Sequence, residues 1–464
     1  MSETIKLVTV ATHKTDELNR FKESATHYGF DYQILGLGME WSGGEAVNGR
    51  LVFPGGGMKV NLLKEYLTTQ DDDTIILFTD SYDVVFSGGP KDVLKNWDGE
   101  GVLFTAEKTC WPDTNLIEKY PNSKTEYRFL NSGGFIGRVS DLKVLTETPC
   151  ENTDDDQLYY TLKFLNGEGI KLDYNLDIFQ TLNESTEDVE INDGYVHNII
   201  TDTHPTVIHA NGGVSVRTFL NTLYNDMNQP INYTIEVSGK DKVLVQVIFD
   251  EDHSNPSVIM DSIGYLTYDK SLIDLYVINN SIRNHWEITN FIKKYGEQYN
   301  STDYHYLEGE STFVLRDRAI FAVRNYKVSN VLVMDSNYYV KNHDTIQILL
   351  GENKSIVAPM LNTEQSLESN FWCGVDEYGY FRDHDNYFKY RDYEKVGTFN
   401  VPFVRGVIMF DYETITSNKY LELYVRTKDE SYGNDHFVVL CNHIRSLNHF
   451  MFVTNKRYFG KFLQ

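Results

Sequence analysis

Two carboxylates, three residues apart, follow an apolar run early in the chain. Asp80 and Asp83 stand in Asp80-Ser81-Tyr82-Asp83, directly after Ile75-Ile76-Leu77-Phe78-Thr79. Ligands of open α/β sheets bind beyond the carboxyl ends of the strands, so two carboxylates placed there can converge on one cation. Such a pair suits a hard divalent ion, Mn²⁺ or Mg²⁺. An ordinary Asp-rich turn is the competing interpretation.

A histidine ends a second short apolar run. His209 follows Thr206-Val207-Ile208 and leads into Ala210-Asn211-Gly212-Gly213, whose glycines let a ligand approach the backbone. A lone histidine there is usually structural, but beside an Asp-x-x-Asp turn of the same sheet it is the expected third ligand. Imidazole with two carboxylates favours Mn²⁺ over Mg²⁺. A metal held in this way can act as a Lewis acid and neutralise a diphosphate leaving group.

Two further clusters are expected on the same face. In Phe129–Gly137, small polar residues and paired glycines precede a β run, as in a site that admits a sugar; a glycine-rich turn entering a strand explains the pattern equally well. Asp154-Asp155-Asp156-Gln157 precedes the helix-like Leu158–Leu165. Helix capping accounts for at least one of these acids, and the others are expected to bind hydroxyls or orient the reacting centre.

Up to about residue 225, β-branched runs alternate with amphipathic segments, which predicts a mostly parallel sheet flanked by helices. The predicted strands are Ile5–Ala11, Tyr32–Gly36, Thr74–Thr79, Gly101–Thr105 and Thr206–His209. The predicted helices are Thr15–Tyr28, Met58–Leu67, Pro90–Trp97, Ser140–Thr148, Asp155–Leu165 and Ser215–Asp226. Gly55-Gly56-Gly57 opens the second helix, where backbone N–H groups can face an anion.

The second half echoes the first. A polar stretch from Asn225 to Lys242 interrupts the alternation, which then restarts. Asp335-Ser336-Asn337-Tyr338 repeats the first aspartate motif without its second carboxylate, and Asp435-His436-Phe437 repeats Asp156-Gln157-Leu158. The pattern predicts two related α/β domains, 1–228 and 242–464, joined by a linker at 229–241. The second is expected to be non-catalytic, with three roles open: stiffening the first, forming a homodimer contact, or guiding the acceptor.

Composition and the N-terminal sequence limit the kinds of binding partner and the cellular location that can be expected. Lys plus Arg (42) minus Asp plus Glu (67) gives a net charge of −25, which excludes a nucleic-acid binder and suits a cationic peptide or metal ions. No apolar stretch approaches the roughly 20 residues that span a bilayer, so a soluble protein without membrane attachment is expected. The N-terminus has no signal-peptide pattern and the four cysteines have no paired spacing, which predicts a reducing, cytoplasmic location.

The chain resembles the glycosyltransferase and accessory domains of the procollagen lysyl hydroxylase family, including stand-alone forms such as giant viruses encode. The motifs that carry the resemblance occur in that family's order over nearly the whole chain. They are Thr9–Thr12, Leu35–Gly38, Glu40-Trp41, Gly43-Gly44, Gly55–Val60, Asp80–Val84, Cys110–Pro112, Asn131–Gly137, Asp154–Leu158, His209–Gly212, Ala358–Leu361, Asn370–Trp372 and Asn400–Pro402.

The resemblance implies a GT-A type, Rossmann-like glycosyltransferase domain followed by a second, degenerate GT-A-like α/β domain. It implies transfer of glucose from UDP-glucose, with Mn²⁺ and with retained configuration, onto galactosylhydroxylysine of collagen. The metal would be held by Asp80, Asp83 and His209. The nucleotide sugar would contact Thr12, Trp41, Lys59, Tyr82, Asn211 and Gly212. The reacting centre would be lined by Trp111, Asn131, Asp155, Asp156 and Gln157, with Asp155 or Asp156 assisting the chemistry.

Two alternatives remain open at this point. A galactosyltransferase acting from UDP-galactose on bare hydroxylysine would need the same motifs, since a single hydroxyl orientation separates the two sugars. A non-enzymatic collagen-binding scaffold would not need the intact Asp80, Asp83 and His209. Hydroxylation is not expected, because His285-Trp286-Glu287 alone has the His-x-carboxylate spacing of an iron oxygenase and lies in a helix-like stretch.

Overall fold

A computed structural model describes residues 4–44, 46–47, 50–51, 55–227, 241–250, 256–363, 366–417 and 435–462. The chain divides into two compact units, Met1–Pro230 (unit 1) and Ile231–Gln464 (unit 2), and each is described by itself. The predicted boundary at 228 and the predicted linker 229–241 lie outside the described residues, apart from Asp241. All four cysteines are free thiols. Among the described residues, no helix combines the length and apolar character that a membrane crossing requires.

Unit 1 is built on a six-stranded sheet with the order β2-β1-β5-β8-β7-β9. These strands are β1 (Ile5–Val10), β2 (Tyr32–Leu35), β5 (Ile75–Thr79), β7 (Val102–Glu107), β8 (Phe129–Arg138) and β9 (Ile170–Asp173). The sheet is mixed, because β8 runs antiparallel to both β5 and β7. Alternate side chains of β5 enter different cores, Ile75 and Leu77 on one face and Ile76 and Phe78 on the other.

Helices cover both faces of this sheet. They are α1 (Asp16–His27), α2 (Gly57–Leu67), α3 (Pro90–Asn96), α4 (Val139–Leu145), α5 (Asp156–Leu165) and α6 (Val214–Asp226). The N-cap of α1 is Thr15, whose side chain accepts a hydrogen bond from the backbone N–H of Leu18. Each predicted helix of the first half is present, with ends that differ by up to three residues.

A small second sheet of unit 1 has the order β10-β13-β6. Its strands are β6 (Val84–Phe86), β10 (Phe179–Thr181) and β13 (Val207–His209). Because β13 is antiparallel to β6, His209 pairs with Val84 and comes beside Asp83. The remaining strands form two hairpins, β3 (Ala46–Val47) with β4 (Arg50–Leu51) and β11 (Val189–Asn192) with β12 (Tyr195–Asn198).

The glycine-containing stretch Phe129–Gly137 lies within strand β8, so the alternative of a glycine-rich turn entering a strand is wrong. The strand is buried along almost its whole length. The absence of a side chain at Gly134 lets β8 pack closely against its neighbours. A Cβ at this position would lie 2.6 Å from Thr105 Oγ1 and 2.9 Å from a ring carbon of Phe179.

Unit 2 has an eight-stranded sheet with the order β16-β15-β14-β17-β23-β19-β24-β21. Its strands are β14 (Val243–Phe249), β15 (Ile273–Asn279), β16 (Ser301–Tyr306), β17 (Asn330–Asp335), β19 (Ile356–Pro359), β21 (Thr398–Asn400), β23 (Val407–Asp411) and β24 (Phe452–Thr454). Two small sheets pair β18 (Tyr338–Val340) with β25 (Gly460–Phe462) and β20 (Phe371–Trp372) with β22 (Phe403–Val404). The helices are α7 (Pro256–Gly264), α8 (Ile282–Tyr295), α9 (Thr312–Ala322), α10 (Thr345–Gly351), α11 (Asn386–Arg391), α12 (Tyr412–Thr416) and α13 (His436–Ser446).

Six strands of the two sheets correspond in order and direction. In β2-β1-β5-β8-β7-β9 and in β15-β14-β17-β23-β19-β24, the first three strands are parallel, the fourth is antiparallel to both neighbours, and the sixth is parallel to the fifth. The predicted pair of related α/β domains is therefore confirmed. The structure shifts one predicted correspondence by a residue, since Asp435 caps α13 as Asp155, rather than Asp156, caps α5.

Candidate active site

Unit 1 has a polar cleft beyond the carboxyl ends of its central strands. Its volume is about 500 Å³, which is within the range of small-molecule sites. The lining residues come from the ends of β5, β7 and β13, from β8, and from the starts of α2 and α5. They are Gly55, Lys59, Asp80, Asp83, Glu107, Thr109, Trp111, Asn131, Ser132, Gly133, Asp155, Asp156, Gln157, Asn183, His209, Asn211 and Gly212.

Asp80, Asp83 and His209 meet at one end of the cleft. His209 Nε2 lies 3.4 Å from an oxygen of Asp83 and 3.7 Å from an oxygen of Asp80. One ligand atom from each of the three residues lies within 4.8 Å of the others, as a shared metal ion requires. The turn between β5 and β6 supplies the carboxylates, and the pairing of β13 with β6 supplies the imidazole.

The three groups influence one another's ionisation. Burial alone would raise the pKa of Asp83, but the charge and hydrogen bond of His209 outweigh it and lower that pKa to about 2. Burial alone would lower the pKa of His209, but Asp83 and Asp80 outweigh it and raise that pKa. Asp83 is therefore ionised at neutral pH, and a cation that uses the imidazole of His209 as a ligand must compete with a proton for it.

Gly133 of β8 determines where His209 can sit. A Cβ at this position would lie 2.1 Å from Cε1 and 2.6 Å from Nδ1 of His209, so any side chain would displace the imidazole. The carbonyl oxygen of Gly133 also accepts a hydrogen bond from the backbone N–H of Asp80, at 2.9 Å. Gly133 therefore positions two parts of the candidate metal site: it leaves room for the ring of His209, and its carbonyl oxygen holds the backbone of Asp80.

Lys59 joins the metal cluster to the acidic start of α5. Its Nζ lies 2.9 Å from Asp80 Oδ1 and 2.7 Å from Asp156 Oδ2. Asp156 Oδ2 also accepts a hydrogen bond from Ser132 Oγ, at 3.0 Å. Burial would lower the pKa of Lys59, but Asp156 and Asp80 outweigh it and raise that pKa, so this side chain is a permanent cation in the cleft.

Asp155 combines two roles. It is the N-cap of α5, where Oδ1 accepts the backbone N–H of Leu158 at 2.6 Å, and it also lines the cleft. Burial raises the pKa of Asp155 to about 6. A carboxylate in this state is ionised at neutral pH and is a stronger base than an exposed aspartate.

Glu107 is the centre of a buried amide network that the motifs did not reveal. It is 3% exposed; Oε1 accepts from Asn131 Nδ2 at 3.1 Å and from Gln157 Nε2 at 2.7 Å, while Oε2 accepts from Asn211 Nδ2 at 2.8 Å. Burial raises the pKa of Glu107 to about 7. The available signal was a carboxylate at the end of an apolar strand, but the predicted strand stopped at Thr105, two residues too early.

The amide oxygens of this network accept hydrogen bonds from backbone N–H groups. Asn131 Oδ1 accepts the N–H of Gly133, and Asn211 Oδ1 accepts the N–H groups of Leu182 and Asn183. Each amide is therefore held in one orientation, with its NH₂ group directed to Glu107. Gly212, next to Asn211, has a φ of +136°, a conformation that favours glycine.

Trp111 and Gln157 meet at another wall of the cleft. Gln157 Nε2 donates to the carbonyl oxygen of Trp111 at 3.2 Å, while the Trp111 ring is more than half exposed. An exposed ring held at the mouth of a polar cleft is suited to stacking on a sugar.

The three remaining predicted nucleotide contacts lie outside the set of described residues that line the cleft. The hydroxyl of Tyr82 accepts the backbone N–H groups of Thr12 and His13, at 3.1 and 3.0 Å, which joins the metal turn to the end of β1. Trp41 is half-buried and packs against the apolar core on one face of the sheet.

This fold and this site define a GT-A type glycosyltransferase: a mixed Rossmann-like sheet with an Asp-x-x-Asp turn after a central strand and a polar cleft beside it. Residues 1–236 match the family described as "PLOD GT domain", and the chain belongs to that family. Residues 274–464 match "Glycosyltransferase family 25, N-terminal domain". The resemblance seen in the sequence is confirmed.

Relatives match along nearly the whole chain. A procollagen-lysine,2-oxoglutarate 5-dioxygenase of Drosophila melanogaster is 31% identical over 99% of this chain. A multifunctional procollagen lysine hydroxylase and glycosyltransferase of Caenorhabditis elegans is 31% identical over 98%, and a human procollagen-lysine,2-oxoglutarate 5-dioxygenase 2 is 29% identical over 100%. The chain spans 65% of the length of each of these relatives.

Solved structures offer more distant neighbours. Residues 1–349 of S. aureus TarS give a TM-score of 0.32 at 10% identity, covering 48% of this chain and 60% of TarS 1–349. A mannosyltransferase of Pyrobaculum calidifontis, solved with GDP-Man and Mn²⁺, gives 0.27 at 13% identity, covering 39% and 48%. These scores are too low to support an argument, so the fold assignment depends on strand order and family.

Proposed function

We propose that this protein is a retaining, Mn²⁺-dependent glycosyltransferase that moves glucose from UDP-glucose onto galactosylhydroxylysine of collagen. The observation that carries the proposal is the convergence of Asp80, Asp83 and His209 in a polar cleft. Membership of the PLOD glycosyltransferase family supports sugar transfer, and the names of the relatives supply collagen as the acceptor.

The donor side is the end of the cleft with the metal cluster. Two carboxylates and an imidazole are a donor set that suits Mn²⁺, and bound Mn²⁺ would supply positive charge that neutralises the leaving diphosphate. The cationic Lys59 and the backbone N–H groups at the start of α6 add to this attraction for phosphate oxygens. The start of α2 does not, contrary to the sequence-based expectation, because the N–H groups of Gly57 and Met58 donate to the carbonyl oxygens of Asp154 and Asn152. Thr12, Trp41 and Tyr82 are proposed to hold the uridine beside the cleft.

The acceptor side is proposed to be the wall formed by Trp111, Asn131 and Gln157. Both N–H groups of Asn131 and of Gln157 are already donated within the protein, so these amides fix the shape of the wall. A sugar hydroxyl would meet the remaining lone pair of Asn131 Oδ1. Trp111 is placed to stack on the galactose ring.

The proposed reaction is a displacement on one face of the sugar. The bond from the anomeric carbon of glucose to the diphosphate oxygen breaks, and its electron pair leaves with UDP. A bond forms from the same carbon to the acceptor hydroxyl oxygen, and the hydroxyl proton passes to a carboxylate. Asp156 already accepts hydrogen bonds from Lys59 and Ser132, so Asp155, with its raised pKa, is the better proton acceptor.

The test is transfer by purified protein with Mn²⁺, each of two donors and each of two acceptors. We expect one hexose to be added, by mass spectrometry, to a galactosylhydroxylysine peptide with UDP-glucose. Addition only from UDP-galactose onto bare hydroxylysine would replace this proposal with the galactosyl alternative. Absence of any hexose addition, together with no UDP binding in calorimetry, would favour a collagen-binding scaffold.

A further inference from the structure

Unit 2 exposes a group of large apolar side chains on the segment between β19 and β21. Leu367 is 64% exposed, Tyr378 59%, Phe381 47% and Phe388 46%. These four residues are called the aromatic patch below. Large apolar groups that cluster on a protein surface commonly mark a contact site, whereas isolated ones need no explanation.

The rings are connected through a packed framework. Phe381 lies 5.9 Å from the ring of Trp372 and 6.1 Å from the ring of Tyr387, and Tyr387 lies 5.3 Å from Phe388, between ring centroids. Trp372 is in turn stacked on the buried Phe403 at 3.6 Å. Phe381 and Phe388 are therefore outer members of one aromatic cluster, and their positions are fixed by the core beneath.

Hydrogen bonds fix the rest of the patch. Asp376 Oδ1 accepts the backbone N–H groups of Tyr378 and Tyr380, both at 2.9 Å, which holds the tight turn that presents Tyr378. The hydroxyl of Tyr387 donates to the carbonyl oxygen of Leu367 at 2.9 Å. A surface that is ordered before it binds loses little conformational entropy on binding.

Acidic side chains surround these rings. The segment 366–394 has seven acids and three bases, a net charge of −4. The exposed acids close to the rings in sequence are Glu368, Asp376, Glu377, Asp383 and Asp385, and two exposed bases, Arg382 and Lys389, follow Phe381 and Phe388. Ring faces among carboxylates suit a ligand that presents apolar rings and cations together.

We propose that the aromatic patch of unit 2 binds a collagen strand. The inference depends on the proposed function for the class of ligand: a Gly- and Pro-rich chain in polyproline II conformation, carrying Lys and Arg. Aromatic-lined surfaces recognise such chains because the extended helix is formed in advance and its proline rings pack on aromatic faces. The carboxylates would select the basic residues.

Charge argues against a second copy of this chain as the occupant. An isologous contact would place two acidic patches face to face, on a protein whose net charge is −25. A basic, proline-rich strand meets both properties of the patch, its exposed rings and its excess of carboxylates.

The test is binding of a fluorescent single-stranded Gly-Pro-Lys repeat peptide, which contains no hydroxylysine, to the full-length protein. We expect Phe381→Ser combined with Phe388→Ser to weaken binding at least about tenfold, and Asp383→Asn with Asp385→Asn to reduce its dependence on salt. Trp286→Ser, which removes a ring on α8 that is 71% exposed and lies outside the patch, is the control and should bind like the parent. Unchanged melting temperatures would show that the variants fold.

The two proposals can fail separately, because this binding needs no sugar transfer. With a collagen-like acceptor, the patch variant should raise KM while leaving KM for a single galactosylhydroxylysine unchanged. Equal peptide binding by parent and patch variant would overturn the docking site, whatever the transfer assay gives. Equal loss on the short acceptor would also overturn it, since the substitutions would then act through folding.

Discussion

Units 1 and 2 build the same six-strand arrangement, and both place an aspartate directly after the central strand. In unit 1 this aspartate, Asp80, opens onto a cleft of about 500 Å³; in unit 2 its counterpart, Asp335, is buried and the nearby cavity measures about 30 Å³. At other corresponding positions of the two sheets, the same backbone arrangement carries different side chains.

The other two metal positions of unit 1 have no ligand counterpart in unit 2. Three residues after the aspartate, Asp83 is replaced by Tyr338. Opposite the fourth residue after the aspartate, strand β13 places His209, whereas strand β25 places Lys461. A tyrosine and a lysine cannot replace a carboxylate and an imidazole, so the fold of the metal site persists without its chemistry.

The glycine beneath the site is present in both units but makes room for different rings. Gly406, like Gly133, accepts the backbone N–H of the aspartate through its carbonyl oxygen, at 2.8 Å. A Cβ at Gly406 would lie 2.4 Å from the ring of Tyr338, as one at Gly133 would meet His209. The space beside this glycine is therefore filled by the candidate metal ligand His209 in unit 1 and by the packing residue Tyr338 in unit 2.

The amide network has become apolar in unit 2. Counted along the paired strands and from the capping aspartates, Glu107, Asn131 and Gln157 correspond to three apolar residues. These are Leu361, Val404 and Phe437. A half-satisfied buried network costs more than an apolar core, which is consistent with three polar residues at these positions in unit 1 and three apolar residues in unit 2.

The largest expected difference is between substitutions of the two corresponding aspartates, Asp80 and Asp335. Asp80→Asn removes a metal ligand and should lower transfer at least about a hundredfold, since a metal supplies several kcal/mol to such reactions. Asp335→Asn should leave Mn²⁺ binding in unit 1 unchanged. It should instead destabilise unit 2 by about 3 kcal/mol, because Arg316 Nη2, 2.5 Å from Asp335 and 3.7 Å from Asp250, loses the nearer of its two buried carboxylate partners.

Calorimetric titration with Mn²⁺ and denaturant unfolding measure the two outcomes. Loss of Mn²⁺ binding in Asp335→Asn, or full activity in Asp80→Asn, would contradict the assignment of chemistry to unit 1.

An intermediate effect is expected from the two glycines. Gly133→Ala pushes a methyl group into His209, and misplacing a ligand in this way should weaken Mn²⁺ binding about 10- to 100-fold. Gly406→Ala is the control in unit 2. It should lower the melting temperature, because its methyl group meets the Tyr338 ring and its φ of +83° favours glycine, while leaving the dissociation constant of Mn²⁺ as in the parent. Equal Mn²⁺ affinity in both variants would show that Gly133 does not position the ligand.

The smallest effect concerns Glu107, whose counterpart Leu361 cannot titrate. Burial raises the pKa of Glu107 from 4.5 to about 7, so kcat/KM of the parent should fall as the pH drops through about 7. Protonation would turn an O–H toward the amide of Asn211 and disrupt the network. Glu107→Gln, permanently neutral and with one acceptor oxygen, should lose about tenfold at pH 8, and its acid limb should move to about 6, where Asp155 titrates.

The linkage of Glu107 to stability has the opposite sign. Because the folded state holds the proton more tightly than the unfolded chain, the stability of the parent should fall as the pH rises from 4.5 to about 7. Glu107→Gln should lack this slope in unfolding curves. An unchanged pH profile of kcat/KM would show that the ionisation of Glu107 does not matter to transfer.

The sequence predicted the parts of the site that depend on residue type at a strand end. Asp80, Asp83 and His209 follow short apolar runs, and the structure brings them together. The expectation that both runs belong to one sheet is wrong, because β5 lies in the six-stranded sheet and β13 in the small sheet with β6. Assignment of the metal and of the individual roles in catalysis stays a prediction. The echo at Asp335 was also sufficient to predict two related units, since aspartate after a β-branched run is a local pattern.

Other features depend on tertiary neighbours and could not be read locally. Lys59 was expected at the nucleotide, but its ion pairs with Asp80 and Asp156 depend on where α2 and α5 begin. Glu107 has one carboxyl group and three amide partners from distant segments. The role of Gly133 follows from the position of a ring 76 residues later in the chain, which no spacing rule describes.

In both units, the helix before the central aspartate supplies a basic residue that pairs with it. The two basic residues, Lys59 and Arg316, differ in how rigidly they hold this ion pair. Arg316 of α9 donates to Asp335 and lies 3.7 Å from Asp250, with all three side chains almost fully buried. A guanidinium makes fixed, forked contacts, whereas the ammonium of Lys59 is a point charge on a flexible stem. The Arg316–Asp335 pair of unit 2 is therefore rigid and closed to solvent, whereas the Lys59–Asp80 pair of unit 1 has a flexible partner and is partly exposed to the cleft.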